Sequence, residues 1–291
     1  MKDYKEYFNM MIVESMHPEI EDILNSNIPL QHKHNLITKK IRELTKNGVD
    51  TGIEDGKPKK GSSRAVYFPK EPKKIILDGK ETHLPVVTKI AFPGSLDKYK
   101  DHDEPLLGEI QNETENDYYS QKRYGILHGD EHNHYHTNEE GILAPLTDAH
   151  EDSHWLEFGK INKLKKSEFQ NLTKNKEYPK GIKFDDMHKV VNNEYENANG
   201  KHSGIPYGMT QEHYDHVYNH PLVTEVMNFT FDTGHHLGDL VIGNWGKFKH
   251  PHTGKEYPVI SDYGHSTEVA KMYRKHRNKE FDYKRNKEIY R

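Results

Sequence analysis

The sequence predicts an α+β chain: helices first, a small antiparallel sheet with one helix next, then a helical region and a β-hairpin. Three observations predict it. In LITKKIREL, Leu36, Ile37, Ile41 and Leu44 fall near one face of a helix. RAVYF (64–68), KIIL (74–77) and LPVVTKIAF (84–92) are short runs of strand-forming residues, with an Asp78-Gly79 hairpin signal between the last two. GDLVIGNWGKF (238–248) and EYPVISDYG (256–264) make a loop-and-strand pair across the polar turn KHPHTGK. No internal repeat is visible.

Taken in order, residues 1 to about 48 read as helical, with Asn47-Gly48 as the stop signal. VDTGIEDGKPKK (49–60) is polar and punctuated by Gly and Pro, hence a loop. After the strands, LLGEIQNETENDYYSQKRYG (106–125) is a polar helix whose apolar side is Leu107, Ile110 and Tyr118. GILAPLT (141–147) and HWLEFGKI (154–161) are further strands around the turn DAHEDS. Residues 162–235 are polar and helix-like, most clearly 209–234. The implied division is a helical extension (1–50), a sheet-bearing part (51–161), a helical part with the last hairpin (162–264) and a basic tail (265–291).

Composition narrows the classes. The apolar share of the 291 residues, counted with Gly and without Tyr, is about a third, against roughly 45–50% in average soluble domains. The core is therefore thin, although 18 Tyr and 10 Phe mark sites of burial. No window approaches 18 uninterrupted apolar residues, and the early MMIV run is too short for a signal peptide. A soluble, cytoplasmic protein with no membrane partner is expected. The absence of cysteine excludes disulfides, a thiolate nucleophile and Cys-ligated zinc. A net charge of −4 argues against bulk nucleic-acid binding. The exception is the tail from His265 to Arg291, where nine Lys/Arg face four acids.

The chemistry-bearing residues begin with GDLVIGN. Asp239 and Asn244 are followed by Asp262, which ends a β-branched run and precedes Tyr263-Gly264. An Asp that accepts a hydroxyl proton, an Asn amide oxygen and a second carboxylate suit phosphoryl transfer, because Mg²⁺ takes hard oxygen ligands. Such a site needs a strand-borne Lys for phosphate oxygens and a helix-borne Glu to fix it. Lys89 sits in the apolar run VVTKIAF, where an ammonium is costly unless paired. A helix with Glu109, Glu113 and Glu115 follows, and Gly61, Ser62 and Ser63 offer a small-residue loop upstream.

In this order the pieces resemble the protein-kinase-like fold, with GDLVIGN, ISDYG, KGSSRAVY and VVTKIA as the matching segments over about residues 60–265. The likeness is to short kinase-like proteins encoded by bacteriophages and to aminoglycoside phosphotransferase-type enzymes. It implies a two-lobed α+β fold, with residues 51–161 as N-lobe and 162–264 as a reduced C-lobe behind the helical extension. It implies ATP and Mg²⁺ as cofactors, and a protein or small-molecule hydroxyl as acceptor. Asp239 would be the catalytic base, Asn244 and Asp262 the metal ligands, and Lys89 the phosphate clamp. Glu113 would pair with Lys89, with Glu109 and Glu115 as rivals, since one sequence does not fix helix register. Gly61, Ser62 and Ser63 would cover the phosphates, and backbone groups around Glu157 and Phe158 in WLEFGKI would meet the adenine edge. Trp245 would pack under the catalytic loop.

The chain departs from that pattern. Leu237 stands where the phosphotransferases carry His, with His235 and His236 just upstream, and no Arg precedes Asp239. The stretch from Asp262 to Arg291 is too short for the helices that hold peptide substrates in protein kinases. The acceptor would then be held by residues 162–235 and the N-terminal helices. The alternative is a catalytically inactive kinase-fold binding or structural protein, such as a phage virion or host-takeover component. A third reading takes His132, His134 and His136, among 22 histidines, as transition-metal ligands at alternate strand positions. Their polar surroundings fit an exposed β-connection better.

Overall fold

The computed structural model describes residues 16–264 apart from 62, 95–96, 98–103, 131–132, 201–203 and 235–239. Helix α1 (Pro18–Asn25) begins with Pro at its first position, where the missing N–H costs nothing, and the His17 ring accepts from the Glu19 N–H. Helix α2 (Leu30–Lys46) stops at Asn47, and Gly48 takes φ 70°. Ile20 and Leu24 of α1 and Leu30, Ile37, Ile41 and Leu44 of α2 are buried with Ala65, Tyr67, Ile90 and Trp155 of a sheet. Helices and sheet thus share one core. Leu36, expected on the inward face, is instead exposed.

That sheet has five antiparallel strands. They are β1 (Lys59–Lys60), β2 (Arg64–Tyr67), β5 (Val86–Ala91), β9 (Trp155–Gly159) and β8 (Leu146–Ala149), in the order β1-β2-β5-β9-β8. A second sheet, in the order β4-β3-β7-β6, holds β3 (Lys73–Leu77), β4 (Lys80–Leu84), β6 (Leu127–Gly129) and β7 (His134–Thr137). Its β3–β7 pair is parallel. Asp78 and Gly79 both take positive φ, 49° and 77°, as a two-residue hairpin turn requires. The hairpin closes β3 on β4 rather than on the segment containing Lys89. Pro85, which has no N–H to give a ladder, separates β4 from β5 and lets the chain change sheets.

The helix expected over 106–125 is two helices, α3 (Leu107–Glu115) and α4 (Tyr118–Tyr124). The Asp117 carboxylate caps α4 by accepting from the Ser120 N–H at 2.8 Å. Helices α5 (Lys166–Leu172), α6 (Phe184–Ala198), α7 (Gln211–Tyr218) and α8 (Pro221–Thr233) follow. α7 and α8 break at His220-Pro221, another cap followed by Pro. The final hairpin, β11 (Trp245–Lys249) and β12 (Glu256–Ile260), pairs from Trp245↔Ile260 to Lys249↔Glu256, and β10 (Asn162–Lys163) lies on its free edge.

A second core gathers Phe169, Phe184, Phe229, Trp245 and Tyr263. Trp245 meets Phe169 and Phe184 edge-on. The strand expected over 141–147 starts only at Leu146. Ile142 and Leu143 before it are fully buried, and Leu143 bridges Gly125 and Ile260. Among the described residues, no helix is long and apolar enough to cross a membrane.

Candidate functional site

Lys89 and Arg64 share one face of the five-stranded sheet. Val66 lies opposite Lys89 and Ala91 opposite Arg64, so the two cations come from neighbouring strands two positions apart. The other face carries Tyr67, Ile90 and Trp155 into the core with α1 and α2. Two long cationic stems on a half-covered sheet need carboxylates, and α3 supplies one.

The inward side of α3 is Gly108, Gln111, Asn112 and Glu115, spaced as one helical face. It is mostly polar: of the expected apolar side, Leu107 is buried beside it, Ile110 is half-buried and Tyr118 is exposed. Gly108 lets the helix approach: a Cβ there would stand 2.4 Å from the Ser63 carbonyl oxygen and 2.8 Å from the Ala91 Cβ. Glu115 is fully buried, and its Oε2 accepts from Lys89 Nζ at 2.8 Å. The same carboxylate takes both Arg64 Nη atoms at 2.9 Å. It also accepts from the Tyr263 and Gly264 N–H groups at 3.2 and 3.1 Å.

Glu113, the expected Lys89 partner, is exposed. Two residues along a helix is a rotation of about 200°, so when Glu115 faces inward Glu113 cannot. Glu109 caps its own helix instead, accepting from the Leu106 N–H at 2.6 Å.

Behind α3 the final hairpin delivers Asp262. Lys89 Nζ donates to the Ser261 carbonyl at 2.6 Å, and Arg64 Nη2 donates to Asp262 Oδ1 at 2.5 Å. Ser261 also donates its N–H (2.7 Å) and hydroxyl (2.9 Å) to the Asn244 carbonyl. Asn244 and Asp262 are therefore brought together through one residue. Burial works against the Arg64 charge, but the Glu115 and Asp262 carboxylates more than offset it and raise its pKa above the usual arginine range. Burial first, and the Glu115 charge second, push the Tyr263 phenol well above its ordinary value.

The other expected residues fall as follows. Gly61 closes a tight β1–β2 turn, its N–H donating to the Arg64 carbonyl at 2.8 Å. Ser63 is buried and gives its hydroxyl to Gln111 of α3, so its side chain is not open to a ligand, whereas Gly61 is exposed. Ser62, Asp239 and His132 lie outside the described residues. Glu157 and Phe158 are not at a free edge: β9 pairs with β5 on one side and β8 on the other, which uses the strand's backbone groups. The Glu157 side chain is buried against Lys73 at 3.0 Å and the Thr147 hydroxyl at 2.9 Å. Burial raises its pKa despite the Lys73 charge. Phe158 instead lies under Lys89, whose Nζ is 4.6 Å from the ring centroid.

Sequence reasoning missed Arg64, Gln111 and Asn112. The one available signal was an arginine opening a strand as apolar as RAVYF, which demands a carboxylate partner just as Lys89 does.

The donors suit Mg²⁺ in kind, since Asp262 and Asn244 offer hard oxygens and the Asp262 side chain is 46% exposed. Among the described residues no group of three or more His or acidic side chains could hold a metal by itself. Any ion here would complete its shell with water and phosphate oxygens, as Mg²⁺ commonly does. His134 and His136 flank the buried Tyr135 on β7 and lie near Asp130 and Asp78, at 3.5 and 4.0 Å.

No family model, no curated protein and no solved structure matches this chain.

Proposed function

We propose that the chain is a phosphotransferase of the protein-kinase-like fold, moving the γ-phosphoryl group of ATP to a hydroxyl on a protein or small molecule. The observation that carries this reading is the Lys89–Glu115 ion pair at 2.8 Å, set against the Asp262-Tyr263-Gly264 turn. A central-strand Lys clamped by a helix Glu next to a carboxylate is the arrangement by which protein kinases bind nucleotide phosphates and metal. The order of elements also supports it, with the Lys strand and Glu helix first, then the helices, then the hairpin leading to Asp262.

In this reading Glu115 holds the Lys89 ammonium where α- and β-phosphate oxygens would be bound. Asp239 accepts the acceptor's hydroxyl proton. Asn244 and Asp262 would hold Mg²⁺, which when bound would neutralise charge on the transferring phosphates. The test is transfer from γ-labelled Mg·ATP to the chain itself and to a panel of hydroxyl acceptors. Lys89→Met and Asp239→Asn should each lower the rate by roughly 10²-fold or more. Absence of transfer, of ATP hydrolysis and of nucleotide binding in the wild type would end the proposal.

One observation favours a second reading, a kinase-fold binding protein without turnover. The Arg64 guanidinium already pairs with the Asp262 carboxylate at 2.5 Å. Nucleotide binding with no transfer to any acceptor would select that reading.

A further inference from the structure

We propose that Arg64 is a built-in cation at Asp262 that keeps bare divalent ions out and admits a metal only when phosphate charge arrives with it. The inference deepens the phosphotransferase reading, which it needs for the role of Asp262 as a metal ligand.

The geometry is that of a swap. Arg64 is anchored to Glu115 by a hydrogen bond from Nη2 and an ion-pair contact from Nη1, each at 2.9 Å, and its Nη1 also donates to Asn112 Oδ1 at 3.4 Å. Its bond to Asp262 comes from Nη2 alone, at 2.5 Å. A guanidinium held on one side by the Glu115 carboxylate and the Asn112 amide oxygen can release a single bond to a second carboxylate without losing its place. Arg64 is 7% exposed, whereas Asp262 is 46% exposed, so the carboxylate faces the side from which an ion would come.

Charge decides what can come. The described side chains of the cluster are Arg64, Lys89, Glu115 and Asp262, two cations and two carboxylates. A dication added at Asp262 would leave these four side chains at +2, beside a guanidinium that cannot shed its proton. Lys89 is turned the other way, its ammonium bonded to Glu115 at 2.8 Å and to the Ser261 carbonyl at 2.6 Å. A metal carried by nucleotide phosphates brings the missing negative charge. The Arg64 N–H released from Asp262 can then donate to a phosphate oxygen. Nor is a metal needed to shape the turn. Lys89 holds Ser261, Arg64 holds Asp262, and the Glu115 carboxylate holds the N–H groups of Tyr263 and Gly264.

The test uses Mn²⁺ alone, titrated into the full chain and followed by electron paramagnetic resonance and calorimetry. Arg64→Gln and Arg64→Met leave Glu115 paired with Lys89. They should bind Mn²⁺ at least about tenfold tighter than the wild type, the minimum expected from removing a unit charge beside a dication. The gain should vanish when Asp262→Asn is added. Unchanged Mn²⁺ affinity in the Arg64 variants, or a gain that survives Asp262→Asn, overturns the inference. Should both variants fail to fold, the wild type still decides. Micromolar Mn²⁺ binding that is lost in Asp262→Asn overturns the inference, and wild-type binding no tighter than that of Asp262→Asn supports it. No nucleotide enters this measurement, so its failure is distinct from a failure to find phosphoryl transfer.

Discussion

Glu115 takes hydrogen bonds from Lys89, from Arg64 and from the N–H groups of Tyr263 and Gly264, with none of its surface exposed. A carboxylate so placed is costly to neutralise, because two buried cations lose their partner together. Glu115→Gln should lower unfolding free energy in urea by about 3–5 kcal/mol, the range for breaking a buried pair. Glu113→Gln, on the exposed side, should stay within about 0.5 kcal/mol of the wild type. Equal costs for the two would mean that the helix presents another register. Lys73, Asp148 and Glu157 make a similar buried set, with Lys73 Nζ 3.0 Å from each carboxylate. Burial raises both of these acids, while the two carboxylates hold the Lys73 ammonium above its usual range against that same burial.

The fit of α3 against the sheet sets the position of Glu115, and Gly108 sets that fit. A methyl group at Gly108 would overlap the Ser63 carbonyl and the Ala91 side chain. Helix propensity favours Ala over Gly by roughly 1 kcal/mol, so any net loss measures the clash. Gly108→Ala should still destabilise the chain by about 1–2 kcal/mol in thermal or urea melts, since overpacking costs about 1–3 kcal/mol before helix displacement is counted. Gly243 is the control at the other end of the site. Its added Cβ would meet nothing within 4 Å, and it needs no positive φ. Gly243→Ala should leave the melt within about 0.5 kcal/mol of the wild type. If Gly108→Ala proves as stable as wild type, α3 is not held by close approach.

Across the whole molecule, the N-terminal helices are tied to the sheet and to α3 by a polar chain as well as by their shared core. Lys33 of α2 is fully buried. It donates to the Leu24 carbonyl at 2.7 Å and lies 3.2 Å from His154 Nδ1. The His154 ring stacks on His150 at 4.5 Å, and its Nε2 is 3.6 Å from Glu109 of α3. Burial, then the neighbouring His154 and Lys33, lower the His150 pKa to about 4, and burial lowers that of Lys33 to about 8. For His150 the folded state binds fewer protons than the unfolded one. Its contribution is intact above the unfolded value of about 6.5 and is lost as pH falls toward 4. The wild type should lose about 1–2 kcal/mol more than His150→Asn over that window, after allowance for partial exposure. In Lys33→Met the loss should shrink, because the imidazoles then protonate more easily. Parallel pH profiles for all three proteins would remove His150 from this role.

What the sequence determined by itself is what local chemistry dictates. The α+β class, the Asp78-Gly79 turn, the helix stop at Gly48 and the closing hairpin follow from periodicity and turn residues alone. So does the need of Lys89 for a buried partner, because an ammonium in an apolar strand has no other way to stay charged. The tertiary structure decided which groups meet. Pro85 sends the chain from one sheet to another, a change that periodicity does not register. Glu115 rather than Glu113 faces Lys89 because the helix stops at Asn116 and lays its polar side on the sheet. That polar side looked solvent-facing until two cations from the sheet paired with it. Arg64 and Asp262, 198 residues apart, form an ion pair that no short-range pattern encodes. Local propensity acts over a few residues, whereas the charge balance of a buried cluster is settled only when distant strands and helices are packed together.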